Sequence, residues 1–260
     1  MAKKSKPLIS VIMNCRNGEK FLNESLNSIF NQTYKNWELI FFDNCSSDKS
    51  KKILMKFKKK YNKKIKYFKS KKILKLYEAR NEAVKKTKGT YLSFLDTDDL
   101  WHKRKLNDQI KFLIKKKADI VFSNYSIFNM ITKKKYLRNK RKLPSGYITQ
   151  NLLDDYVIGI LSVMINRKIF LENQFNKKFE IIGDFDFFLM ISLKYKIFSI
   201  NKSLATYRFH KNNLSNIKIK LFTKELSKWL KANKKKLISY NLTKFRFYIL
   251  KLKLKKNLLL

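Results

Sequence analysis

The sequence predicts an α/β fold, a mostly parallel sheet flanked by helices, with a basic helical tail after it. Two observations carry the prediction. Short apolar runs without polar alternation recur along the first half, as expected of parallel strands covered on both faces. Between them lie segments whose apolar residues repeat at helical spacing, the alternation of a doubly covered sheet.

The elements follow in order. LISVIMN (8–14) is a strand, and EKFLNESLNSIFNQ is a helix with Phe21, Leu22, Leu26, Ile29 and Phe30 on one side. ELIFFDN (38–44) is a second strand. SSDKSKKILMKFKKKY is a helix with Ser46 or Ser47 as N-cap and Ile53, Leu54, Phe57 and Tyr61 on one face. IKYF (65–68) is a third strand, and LYEARNEAVKKTKG reads as a helix stopped by Gly89 in the C′ position. YLSFLD, KRKLNDQIKFLIKK and ADIVFSN are strand, helix and strand. The second half is less regular. Lys133 to Lys142 is a basic loop or hairpin, SGYITQNLLDDYVIGI starts helically, and LSVMINR is a strand. GDFDFFLMISLKY is a helix with Phe187, Phe188, Met190, Ile191 and Tyr195 largely buried, and IFSINKSLATYRFH is strand–turn–strand.

Composition narrows the function classes. At 260 residues, 44% of them hydrophobic, the chain can bury a core and is not a disordered polyelectrolyte despite its formal net charge of +42. Two cysteines, Cys15 and Cys45, are too few for a disulfide framework or a structural zinc site, and read as small buried thiols. A reducing cytosol is the simplest compartment. The apolar run LISVIM is too short for a signal-peptide core, and no segment approaches the roughly 20 apolar residues of a membrane span. The 61 Lys+Arg invite a nucleic-acid partner, but an aromatic-basic strand motif and a helix-turn-helix signature are both missing. Codon usage of an AT-rich genome accounts for the excess without such a partner.

Against that charge, the acids of YLSFLDTDDLW stand out. Asp96, Asp98 and Asp99 crowd the end of an apolar strand, where like charges raise one another's pKa unless a cation sits between them. A divalent cation with oxygen ligands fits such a cluster. Asn14 and Asn17 follow the first strand and Asp43 the second, so three strand ends place polar groups on the rim where open α/β sheets bind ligands.

These stretches together resemble the family 2 glycosyltransferases of the GT-A fold. The resemblance covers roughly 8–215 and rests on SVIMNCRNGEKFLNESLNSIFNQTYKNWELIFFDNCSSD, ARNEAVKKTKGTYLSFLDTDDLW, GDFDFF and LATYRFHKNNLS, in that order. It implies an inverting, metal-dependent enzyme that moves a sugar from a nucleotide-diphosphate-sugar, a UDP-sugar first among them, to a hydroxyl of a glycan or lipid-linked acceptor in bacterial surface polysaccharide assembly (lipopolysaccharide or capsule). Residues 8–124 would be the nucleotide-sugar-binding half of a 1–215 catalytic domain, and 125–215 the acceptor half. Asp96-Thr97-Asp98 matches the DxD motif: Asp98 would ligate Mn²⁺ or Mg²⁺ with Asp99 beside it, and Asp96 would approach the ribose. Asn14, Asn17, Asp43 and Arg80 would line the nucleoside pocket, although Asn44 and Cys45 depart from the usual DDGSTD run. Asp184 matches the catalytic base, with Gly183 where the family often has Glu; Asp186 reads as a helix N-terminal acid. His210, in a late YRxH pattern, would lie near the metal or diphosphate, with Arg208 and Lys211 adding positive charge. His102 reads as surface. A nucleotidyltransferase is the rival enzyme class, but NCRNGEK has one glycine and no Gly-rich phosphate loop.

The tail, 216–260, changes composition. From Ile217 to Leu260 there are fourteen Lys/Arg and a single acid, Glu225. Ile219, Phe222, Leu226 and Trp229 recur at helical intervals among lysines. Such a helix is expected to lie on the anionic inner face of the cytoplasmic membrane, with Trp229 and its neighbours inserted and lysines reaching outward. ILKLKL (249–254) alternates with period two, against a single helix.

Overall fold

The computed structural model describes residues 6–257. The first half is a strand–helix alternation: β1 (Ile9–Cys15), α1 (Glu19–Phe30), β2 (Trp37–Asp43), α2 (Ser50–Lys60), β3 (Ile65–Lys69), α3 (Leu76–Val84) and β4 (Tyr91–Phe94). The second half contains β5 (Leu100–Trp101), α4 (Lys105–Lys116), β6 (Ile120–Asn129), β7 (Lys135–Leu137), α5 (Thr149–Asp154), β8 (Val163–Asn166), α6 (Arg167–Asn173) and α7 (Gly183–Ser192). After them come β9 (Phe198–Phe209), α8 (Leu214–Ile217), α9 (Ile219–Asn233) and α10 (Thr243–Asn257).

One sheet runs β3-β2-β1-β4-β8-β6-β9-β5, with β7 bonded to β6. The β3-β2-β1-β4 portion is wholly parallel, as is the β6–β9 pair; β8 runs against β4 and β6, and β5 against β9. The uninterrupted apolar strands have a direct cause. Val11, Met13, Leu39 and Phe41 enter the apolar layer under α1, α2 and α4, while Ile12, Ile40 and Phe42 enter the layer under α3 and α7. Both faces are covered, so neither position of the two-residue repeat is polar.

Several local expectations change. α2 starts at Ser50 rather than behind Ser46 or Ser47, because Asp48 accepts the Ser50 N–H and the Ser46 hydroxyl accepts from Asn17. α3 ends at Val84, so Gly89 is not its C′ residue. Gly89 is required for space: a Cβ there would lie 2.6 Å from the Ser10 backbone nitrogen. The anticipated strand–turn–strand at 197–210 is one strand, β9, whose register against β6 shifts near Ser123 and Asn124. The basic stretch at 133–142 is a hairpin through β7. Both cysteines are free thiols, Cys15 buried and Cys45 half-buried.

The tail differs most from expectation. α9 turns its apolar face inward: Trp229 is fully buried, edge-on to Phe185 at 4.9 Å, and its indole N–H donates to Asp186 at 2.7 Å. Trp229 is therefore not available to a headgroup layer. α10 adds Phe245 and Ile249 to the same apolar layer. Among the described residues no helix is long and apolar enough to cross a membrane.

Candidate active site

Parallel register sets the rim. Cys15 pairs with Asp43 and Ile12 with Phe94, so Asn14, Asp43 and Asp96 leave the sheet at nearly one level. Asp43 is buried; its carboxylate accepts from the Ser46 N–H at 2.7 Å and the Tyr67 hydroxyl at 2.8 Å. Asn17 sits in the left-handed region (φ 55°), which Asn tolerates, and its side-chain oxygen accepts the Ser47 N–H at 2.9 Å. That bond ties the loop after β1 to the loop after β2. The Asn14 amide nitrogen is buried without a partner, a donor left for a ligand.

Arg80, on α3, is 3% exposed and donates from one guanidinium nitrogen to both oxygens of Asp96, at 2.7 and 2.8 Å. Its charge also acts on Asp184, which opens the first turn of α7. The Asp184 carboxylate accepts from the Tyr77 hydroxyl at 2.9 Å and from the Phe185 N–H at 2.9 Å. Burial pushes it above the usual carboxylate range, while Arg80 and the Tyr77 hydrogen bond pull it back. A carboxylate with a raised pKa beside a cleft is suited to proton transfer. Asp184 lines a cavity of about 330 Å³ with Tyr156, Phe222, Phe245 and Tyr248, and the Tyr156 hydroxyl is buried without a partner.

The last strand brings the distant histidine to the acidic loop. β5 pairs Leu100 with Thr206, which carries the residues after β9 back over the DTDD loop. His210 Nε2 lies 3.1 Å from Asp98, Asn213 Nδ2 lies 3.4 Å from the same oxygen, and the imidazole stacks on Phe21 at 5.1 Å. Burial raises the Asp98 pKa, and Asp96 adds to it. Asp99, expected beside Asp98 at the metal, is 2% exposed, and its carboxylate accepts the Arg208 N–H at 3.0 Å, which anchors β9. Arg208 is itself buried, ion-paired to Glu24 at 2.9 Å. His102 is exposed, as anticipated.

Among the described residues no group of three or more His, Cys, Asp and Glu is placed to hold a metal ion by itself. Asp98 and His210 nonetheless fit a shared ion. Mg²⁺ and Mn²⁺ are commonly held by one or two protein groups plus substrate phosphates, and a buried carboxylate with a raised pKa favours a cation beside it. The sequence assigned no role in the site to four further residues. Tyr77 holds Asp184, Asn213 reaches Asp98, Phe21 stacks on His210, and Glu225 accepts the N–H groups of Glu180, Ile181 and Ile182 at the start of α7. Only Glu225 left a trace in the sequence, as the lone acid of the tail.

Comparison with known proteins gives the same architecture. The model of glycosyl transferase family 2 matches residues 10–195. The chain is 30% identical, over 83% of its length and 84% of the relative's, to TuaG of Bacillus subtilis (strain 168), named as a teichuronic acid biosynthesis glycosyltransferase. It is 31% identical, over 82% of its length and 81% of the relative's, to WfgD of Escherichia coli, a UDP-Glc:alpha-D-GlcNAc-diphosphoundecaprenol beta-1,3-glucosyltransferase. Among solved structures, S. aureus TarS with UDP-GlcNAc superposes at TM-score 0.64 and 18% identity, over 85% of this chain and 66% of that one. The Pyrobaculum calidifontis mannosyltransferase PcManGT with GDP-Man and Mn²⁺ superposes at TM-score 0.65 and 14% identity, over 88% and 65%.

Proposed function

The chain belongs to glycosyl transferase family 2, and from that premise we propose that it transfers a sugar from a UDP-sugar to a hydroxyl of a lipid-linked glycan, with inversion. The GT-A fold and glycosyltransferase activity come with the family; donor, acceptor, stereochemistry and residue roles are the proposal. WfgD, a UDP-glucose enzyme with a diphosphoundecaprenol acceptor, supports this donor and acceptor, and TarS with UDP-GlcNAc supports the donor class. Surface polysaccharide assembly, lipopolysaccharide or capsule, is the pathway class, and the cytoplasmic face of the membrane is the place where such an acceptor is met.

The observation that carries the reading is Arg80. One buried guanidinium binds Asp96 on the donor rim and acts on Asp184 at the acceptor cavity, so donor and base share one site. Residues 8–124 take the nucleotide: Asn14, with its free amide, Asn17, Asp43 and Arg80 enclose the nucleoside, and Asp96 meets the ribose. Residues 125–215 supply the acceptor side. Asp98 and His210 would hold the ion. Mn²⁺ or Mg²⁺, when bound, neutralises the leaving diphosphate as a Lewis acid. Asp184 takes the acceptor proton as the hydroxyl attacks the anomeric carbon opposite the leaving group, a contribution of about 10²–10⁴-fold.

A panel of nucleotide-sugars, scored for hydrolysis with Mn²⁺, Mg²⁺ or chelator, tests the reading. One UDP-sugar should turn over only with metal. Asp98→Asn should abolish that turnover. Asp184→Asn should lose transfer by about 10²–10⁴-fold yet keep the thermal shift given by UDP. A panel in which no nucleotide-sugar is hydrolysed or raises the melting temperature overturns it.

A further inference from the structure

We propose that the outward face of α10 seats the protein on an anionic lipid surface. The inference deepens the reading above, in which the acceptor is membrane-borne, and moves the contact from α9, whose apolar face is spent on the core, to a different helix.

α10 is apolar on two opposite sides. Phe245 and Ile249 face inward, Phe245 stacking on Phe185 at 5.4 Å. Phe247, Leu250 and Leu254 are 68%, 53% and 57% exposed. At 3.6 residues per turn these three fall within roughly 60° of one another, on the side opposite Phe245 and Ile249. Arg246 and Lys253 border this stripe along one edge, Lys244 and Lys251 along the other, all exposed. No acid occurs in α10. Lys253 also enters a groove of about 680 Å³ that it lines with Lys220, Lys224, Lys228 and Lys231 of α9 and with no acidic side chain.

An apolar stripe of this kind is costly in water and marks a contact surface. The cations on both edges choose the contact. A helix lying in the headgroup layer buries its stripe at the acyl boundary and directs flanking lysines at lipid phosphates. Each basic residue near an anionic leaflet strengthens binding by about fivefold. A nucleic acid would engage the lysines and leave the stripe uncovered. The same helix gives Phe245 and Tyr248 to the cavity that holds Asp184, so seating α10 brings that cavity within about one helix diameter of the headgroups.

The test is flotation of the full chain with vesicles of phosphatidylcholine alone and of phosphatidylcholine mixed with phosphatidylglycerol. Wild type should float with the anionic vesicles and not the neutral ones. Phe247→Glu/Leu250→Glu/Leu254→Glu should reduce recovery by at least about tenfold, with UDP-sugar hydrolysis in the absence of lipid unchanged. The substituted side chains are solvent-exposed, so the fold survives. Failure of wild type to float, equal recovery on both vesicles, or flotation of the triple variant like wild type overturns the proposal. Flotation without nucleotide-sugar turnover overturns the enzymatic reading and leaves this surface standing.

Discussion

Tyr77 and Gly183 compete for one space. A Cβ at position 183 would come within 2.4 Å of the Tyr77 ring, so glycine stands where the family often has Glu because an aromatic ring fills the place. The ring ends in the hydroxyl that donates to Asp184 at 2.9 Å. That hydrogen bond favours the ionised carboxylate, and burial favours the neutral one. Removing the donor in Tyr77→Phe raises the Asp184 pKa further. The acid limb of the kcat/KM profile should then move to higher pH, which a pH–rate series on the two proteins measures. Stability follows the same linkage. Because the folded pKa of Asp184 lies above its unfolded value, ionisation weakens the fold as pH rises through that interval, and below the unfolded value near 4 there is no effect. Asp184→Asn should therefore melt higher than wild type at neutral pH and equally at low pH, despite its loss of transfer. Thermal melts across pH decide it; a variant less stable at neutral pH makes Asp184 a structural acid.

α7 is aimed by the tail. Glu225 of α9 accepts the N–H groups of Glu180, Ile181 and Ile182 at 2.8 to 3.2 Å, fixing the segment that leads into α7 and satisfying its N-cap N–H. Asp184 follows in the first turn of α7, and Trp229 grips Asp186 two residues further on. Glu225→Ala removes the acceptor for all three donors, a cost of about 1–3 kcal/mol. It should lower kcat more than it weakens UDP binding, because the donor rim lies on other elements. Glu225→Gln keeps an accepting oxygen and should recover part of the rate. Equal loss in both variants, or loss of UDP binding, separates a general folding defect from this role. α10 shows why its pattern misled: apolar residues on two opposed faces blur into a period-two alternation, although the segment is a helix.

At the scale of the molecule, the apolar layer under α3 and α7 runs without a break into α9 and α10. Trp229→Ala should cost about 3–5 kcal/mol, out of the roughly 5–15 kcal/mol that stabilises a domain, and a chain cut after Ser215 should not fold. Denaturant melts measure the first and expression of the truncated chain the second. A truncated protein that melts like wild type removes the claim. The charge of +42 has a global effect as well: self-repulsion is screened by salt, so the melting temperature should rise between low and physiological ionic strength. By itself the sequence determined the alternation of β1 to β4 with α1 to α3 and the polar rim of Asn14, Asp43 and Asp96. Those patterns are local, and parallel strands of similar length end at one level. It also marked Asp98, Asp184 and His210 as separate candidates. Only the tertiary structure decided that His210 meets Asp98 across 112 positions of chain, through a two-residue pairing of β5 with β9 too short to leave a pattern. Tertiary structure also decided that Asp99 turns to Arg208, and that α9 faces the core while α10 keeps one apolar stripe outside. A helical repeat gives the direction of a face, and what covers that face depends on where the rest of the chain has already packed.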